Sequence, residues 1–238
     1  LMDFYIIVVI IFSAVIQSIF GVGVLLFGTP LLLMGGYDFV HALTILLPIS
    51  LVINLFQIVQ GKALIDYEFY RKLLVYTIPP IVLMLVFAVK MELNVSFLIG
   101  TFLIFISLKS LSVTVKKTID FLFQFERSYF ILQGVIHGLT NLGGSLLTSK
   151  VFDMDIGKEE KRITISLSYF TFALFQIATL MSLGKLVEFN FSYLFIGAVV
   201  FAVTNHFVYK NISNKKYDKL FAIFLFFSGI IIIFKELV

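Results

Sequence analysis

Apolar runs recur along the whole chain, separated by short polar or charged stretches. They cover residues 4–20, 22–36, 40–60, 70–89, 95–115, 126–142, 143–155, 162–183, 190–209 and 219–236, with boundaries fixed to within a few residues. Most approach the roughly 20 residues that a helix needs to cross a bilayer. Two fall short. As a helix, 22–36 would rise only about 22 Å, against a hydrocarbon core of about 30 Å. The run 143–155 is shorter still. Each follows a glycine-rich break: "GVGVLLFGTP" from Gly21 to Pro30, and "NLGGSLLTSK" from Asn141 to Lys150. Pro48, Pro79 and Pro80 fall inside predicted spans and should kink them.

Composition turns these runs into membrane segments. Hydrophobic residues make up 60% of the chain and charged residues 13%, where a soluble domain carries about 25% charged residues. Mean hydropathy is +1.07. The expected fold is an all-α integral membrane protein, a polytopic helical bundle of about 8–10 segments with short or broken helices. The first run has no basic flank and no cleavage site, so it reads as a span and not as a signal peptide. Cysteine is absent, which excludes disulfides, thiolate metal sites and a cysteine nucleophile. The net charge of +4 resides in loop Lys and Arg and reports membrane orientation, not nucleic-acid binding.

Charge bears on whether the short runs cross, although an N-terminus without Lys or Arg leaves 22–36 undecided on charge alone. If every run crosses, the stretches 61–72, 109–127, 150–162 and 210–219 share one side and hold 15 of the 18 basic residues. If both short runs re-enter, the split becomes 9 to 9. The positive-inside rule selects the first arrangement, with the N-terminus outside. An internal repeat agrees with it. Gly23 matches Gly143 at an offset of 120, as Leu43-Thr44-Ile45 matches Ile163-Thr164-Ile165. Leu55-Phe56-Gln57-Ile58 recurs as Leu174-Phe175-Gln176-Ile177 at 119. Five runs per half make residues 1–117 and 118–238 two inverted repeats within one membrane domain, an architecture of many secondary transporters.

The stretches "QSIFGVGVLLFGTPLLLMGG" at 17–36 and "QGVIHGLTNLGGSLLTSKVFDMDIG" at 133–157 resemble the sulfite exporter TauE/SafE family. In this chain Val22 and Val24 interrupt the first glycine cluster, and Lys150 occupies the position matching Pro30. The resemblance implies a transporter of sulfite, sulfonates or similar small oxyanions, in the bacterial cytoplasmic (inner) membrane. The expected partners are that anion and the lipid bilayer. The Phe-rich faces suit lipid or a second copy of the chain, as in a homodimer.

The residues carry a matching chemistry. Unwound backbone at membrane depth must be buried in protein or line a wet cavity. A helix that restarts there presents free amides and a partial positive charge, which suits an anion. The candidate site is therefore Gly21, Gly23, Gly28, Thr29 and Pro30 with Gly143, Gly144, Ser145 and Thr148. Close packing by small residues is the alternative reading. Gln17, Asn54, Gln57, His137, Thr140, Asn141 and Gln176 add uncharged hydrogen-bonding groups, and the alternative for them is bonding between helices. Gln57 and Gln176 stand out because they recur at matching repeat positions.

All 14 Asp and Glu fall in loops or near segment ends, which argues against a cation substrate. No G-x-x-x-x-G-K-[ST] loop and no H-E-x-x-H spacing is present. The expectation is thus a secondary anion transporter without cofactor or metal. An anion channel is the alternative, and a membrane enzyme a more distant one. Lys150 either snorkels to the surface or attracts anions to the inner mouth.

Overall fold

The computed structural model describes residues 2–61, 64–91, 95–108, 124–187 and 189–207, with isolated positions 112, 114, 117, 121, 226, 230, 233 and 234. Every regular element among these is helical: α1 Met2–Phe20, α2 Val24–Met34, α3 Phe39–Gly61, α4 Tyr67–Tyr76, α5 Ile78–Lys90, α6 Ser96–Leu108, α7 Glu126–Thr140, α8 Gly144–Phe152, α9 Lys158–Ser182 and α10 Phe191–Phe207. The expected run 219–236 lies almost wholly outside the described residues. So do Lys62, Lys109, Lys116, Lys210, Lys215, Lys216, Lys219 and Lys235.

Phe39–Gly61, Tyr67–Lys90 and Glu159–Ser182 are long and apolar enough to cross a membrane. Large apolar side chains also line the outside. On α10, Phe191, Phe195, Val199, Val203 and Phe207 recur every four residues and are all exposed. Such continuous apolar faces are the surface expected of a bundle solvated by lipid. Inside, α3 and α9 form the most extensive helix pair. Ser166 on α9 donates to Gln57 on α3 at 3.0 Å, and Gly61 packs on Ile163. These pairs set α3 and α9 antiparallel.

Two details differ from the sequence expectation. The run 70–89 is interrupted at Thr77, and α5 starts at Ile78. Pro79 and Pro80 therefore occupy the first turn of a helix, where no amide bond is lost. The expected disturbance falls at Thr77, which stays in the right-handed helical region with its amide bonded to the Leu73 carbonyl, so α4 and α5 follow one another as a single interrupted span. The basic stretch 150–162 is mostly helix, with only 153–157 outside α8 and α9. Glu159 and Glu160 sit in the first turn of α9, where acidic groups complement the helix dipole. Arg162 thus lies inside α9 and not in a loop.

Candidate functional site

The first break is confined to Gly21–Gly23, so Gly28, Thr29 and Pro30 belong to α2. Gly21 has φ +73°, a left-handed conformation that glycine adopts without strain. From there the chain folds back along α1. A Cβ on Gly23 would overlap the Ser13 carbonyl and the Gln17 amide nitrogen, so only glycine lets the strands of backbone approach this closely. At its far end α2 reaches the start of α1, where Tyr5 Oη donates to the Leu31 carbonyl at 2.6 Å. Helices α1 and α2 are thus an antiparallel hairpin with one short arm.

The second break repeats this construction at an offset of 120. Asn141, matching Gly21, ends α7 in the left-handed region with φ 61°, which Asn tolerates better than most residues. A Cβ on Gly143 would overlap the Gln133 carbonyl and stand 2.6 Å from His137 Cβ. Helix α8 then runs back along α7, with Tyr129 Oη donating to the Leu146 carbonyl at 2.6 Å. Lys150 Nζ lies 3.9 Å from Glu126 at the far end.

The polar residues form two groups. In the first, Gln17 Nε2 donates to Asn54 Oδ1 at 2.7 Å, to Gln57 Oε1 at 3.3 Å and to the Gly21 carbonyl at 3.3 Å. Gln17 Oε1 accepts from the Val24 amide at 3.0 Å and so caps α2. Asn54 also donates to Ser50. In the second group, Asn141 Nδ2 donates to Thr29 Oγ1 at 2.8 Å, and Gln176 Nε2 donates to Asn141 Oδ1 at 3.3 Å. The Asn141–Thr29 bond joins the second break to the middle of α2.

The antiparallel register of α3 and α9 places Gln176 level with Leu47, about ten residues or roughly 15 Å along the axis from Gln57. Gly28 packs on Leu46 at that same level. Among the described residues no hydrogen bond connects the groups. The predicted site residues are therefore two polar layers at different depths.

The other hydroxyls bind locally. Thr140 donates to the Ile136 carbonyl and accepts from the Leu142 amide. Ser145 and Thr148 donate to the Leu142 and Gly144 carbonyls. Gly144 lies under the Tyr169 hydroxyl. His137 is fully buried, with its ring 4.6 Å from Phe172 and 6.1 Å from Tyr169, and the Gln176 side chain faces it. Neither His137 ring nitrogen makes a hydrogen bond of good geometry. All the candidate residues are buried.

Three features were not anticipated. Gln133, one turn before His137 on the same face of α7, is fully buried with its whole amide unmet. Arg162, 8% exposed, packs on Gly21 and donates to Asn205 Oδ1 at 2.6 Å. It is the sole buried charged side chain among the described residues. A pocket of about 520 Å³, lined by Arg71, Lys72 and Arg127 with Glu68 and Glu126, opens at the end of the bundle that also holds Lys150. Lys150 itself is packed over the Tyr129 and Phe130 rings at 5.4 and 5.7 Å. Among the described residues no cluster of His, Asp or Glu is placed to hold a metal ion.

Residues 6–232 match the model of a family described as "Sulfite exporter TauE/SafE". No curated protein and no solved structure matches.

Proposed function

The chain belongs to the sulfite exporter TauE/SafE family, an integral membrane transporter family, and from that premise we propose that it is a secondary transporter working by alternating access. Its substrate is sulfite, an organosulfonate or a similar small oxyanion. The observation that carries this reading is the pair of breaks, built alike 120 residues apart, each starting a short buried helix. Helix starts of this kind are anion sites, and paired broken helices are the usual substrate site of transporters made from inverted halves.

The halves are residues 1–117 and 118–238, rocking about α3 and α9. Buried Arg162 beside Gly21 adds a positive charge next to the first break, in keeping with an anionic cargo. Burial of both breaks suits a carrier, which occludes its cargo, better than a standing pore. The protein acts without a cofactor and catalyses no covalent step. It resides in the bacterial cytoplasmic membrane, with the basic pocket facing the cytoplasm.

Counterflow decides the matter. Proteoliposomes preloaded with unlabelled sulfite should accumulate labelled sulfite transiently and saturably. A conductance that does not saturate would instead identify a channel.

A further inference from the structure

The two breaks are built alike but finished differently. At the first, Gln17 uses both side-chain atoms, one to cap α2 and the other to bind Asn54, Gln57 and the Gly21 carbonyl. At the second, the residue in the place of Gln17 is His137, and in the place of Ser13 stands Gln133. Both are fully buried, and none of their four polar side-chain atoms makes a hydrogen bond of good geometry, although the Gln176 side chain faces His137. Gln176 Oε1 is unmet as well. Among the described residues no side chain takes an amide of the first turn of α8, which starts at Gly144, as Gln17 takes the Val24 amide of α2. The Gln133 amide and the His137 ring, so poorly bonded on the helix flank that meets Gly143, are costly unless something else binds them.

Their chemistry is mixed. Gln133 Nε2, one imidazole N–H and the Gly144 amide are donors, suited to anionic oxygens, while the next α8 amides, of Ser145 and Leu146, already bind the Leu142 and Gly143 carbonyls. Gln133 Oε1, the second nitrogen of a neutral imidazole and Gln176 Oε1 are acceptors. Three acceptors repel a ligand made only of anionic oxygens. They match one that also carries an O–H.

We infer that the second break is the half of the site that grips the anion, and that it selects an oxyanion bearing its own hydrogen-bond donor, a hydroxysulfonate or hydrogen sulfite. Gln133 and His137 hold the anionic oxygens together with the Gly144 amide, and the acceptors take the ligand O–H. The first break, closed by Gln17, is the fixed partner. This inference rests on the transport reading above and assigns its cargo.

A matched ligand pair tests it. Hydroxyethanesulfonate and ethanesulfonate differ by one hydroxyl. Titration calorimetry on the purified full chain should show the hydroxylated anion binding tighter by about tenfold or more, because a site built for a hydroxyl rejects its absence. Gln133→Leu and His137→Leu should each lose about tenfold or more in affinity while raising the thermal midpoint of the unliganded protein, since each removes unmet polar atoms. A merely structural role would lower that midpoint. His137→Gln, which keeps a donor and an acceptor, should retain part of the preference. Thr77→Val, which removes a buried hydroxyl bonded to the Phe130 carbonyl, should leave affinity unchanged.

Equal affinity for the two sulfonates overturns the inference, and the wild-type protein alone can show it. So does retention of affinity by both Leu variants. If the wild type exchanges sulfite in counterflow yet does not distinguish the pair, only this inference falls. If it neither binds nor exchanges any of these anions, the transport reading falls too.

Discussion

Gly23 and Gly143 do at atomic scale what no other residue could, because the place of a Cβ is already taken by the backbone of the preceding helix. Gly23→Ala must push α2 off α1, at a cost of about 1–3 kcal/mol, as for other overpacked sites. Gly157, with nothing within 4 Å of its Cβ position, is the matched control, and Gly157→Ala should stay within about 0.5 kcal/mol. Thermal melts in detergent check both, and equal melting of the two variants would sink the close-packing account. Which polar residues bond one another was partly visible beforehand. Gln17, Asn54 and Gln57 are amides inside apolar runs, and such groups need partners in lipid. Gln133 escaped notice because it sits near the more polar start of α7, where a glutamine looks solvated. The offset of 120 that pairs Gly23 with Gly143 also pairs Ser13 with Gln133 and Gln17 with His137, and extending it would have found Gln133. Arg162 was hidden by its neighbours: Lys158, Glu159, Glu160 and Lys161 draw the eye to a loop, yet they form the first turn of a helix whose second turn is already buried.

At the scale of elements, α7 shows how one helix serves two tasks. Gly134 and Gly138 let it lie against α5, a Cβ on Gly138 standing 2.6 Å from the Ile81 carbonyl and one on Gly134 2.9 Å from Pro80 Cβ. Gln133 and His137 lie on the flank that meets α8. The glycine pair spaced by four is the small-residue contact familiar in membranes. Thr77 completes the crossing by donating to the Phe130 carbonyl at 3.1 Å. The interruption between α4 and α5 therefore comes from this crossing as well as from the prolines. Pro79→Ala and Pro80→Ala should change stability by no more than about 1 kcal/mol and leave sulfite counterflow within about twofold. A collapse of transport with stability intact would mean that the prolines act as a hinge. Hydrophobic periodicity anticipated nearly every helix, because lipid imposes a minimum apolar length. Periodicity alone does not show the interruption at Thr77, but Pro79 and Pro80 mark its neighbourhood in the sequence.

For the whole molecule, charge counting and the contacts among the described residues group the same helix ends. Counting basic residues groups 61–72, 109–127, 150–162 and 210–219. In space, Lys72 meets Glu126 at 3.0 Å, Glu126 meets Lys150, Gly61 packs on Ile163, and Arg162 binds Asn205 just before the fourth stretch. Those contacts gather the helix ends at one pole, whereas Tyr5, Tyr37 and His41 cluster at the other. The two hairpins explain how this is possible with short helices: α2 and α8 each return the chain toward the pole from which α1 and α7 set out. Because the natural chain has no cysteine, single cysteines report this arrangement without background. Leu64→Cys and Gly157→Cys lie at the basic pole, and Met91→Cys and Lys185→Cys at the other, all at exposed positions. In intact cells a membrane-impermeant maleimide should label the second pair and leave the first pair unmodified until the cells are opened. Labelling of Gly157→Cys from outside while Leu64→Cys stays protected would place the ends of α3 and α8 on opposite sides. That outcome would break the inverted arrangement on which alternating access depends.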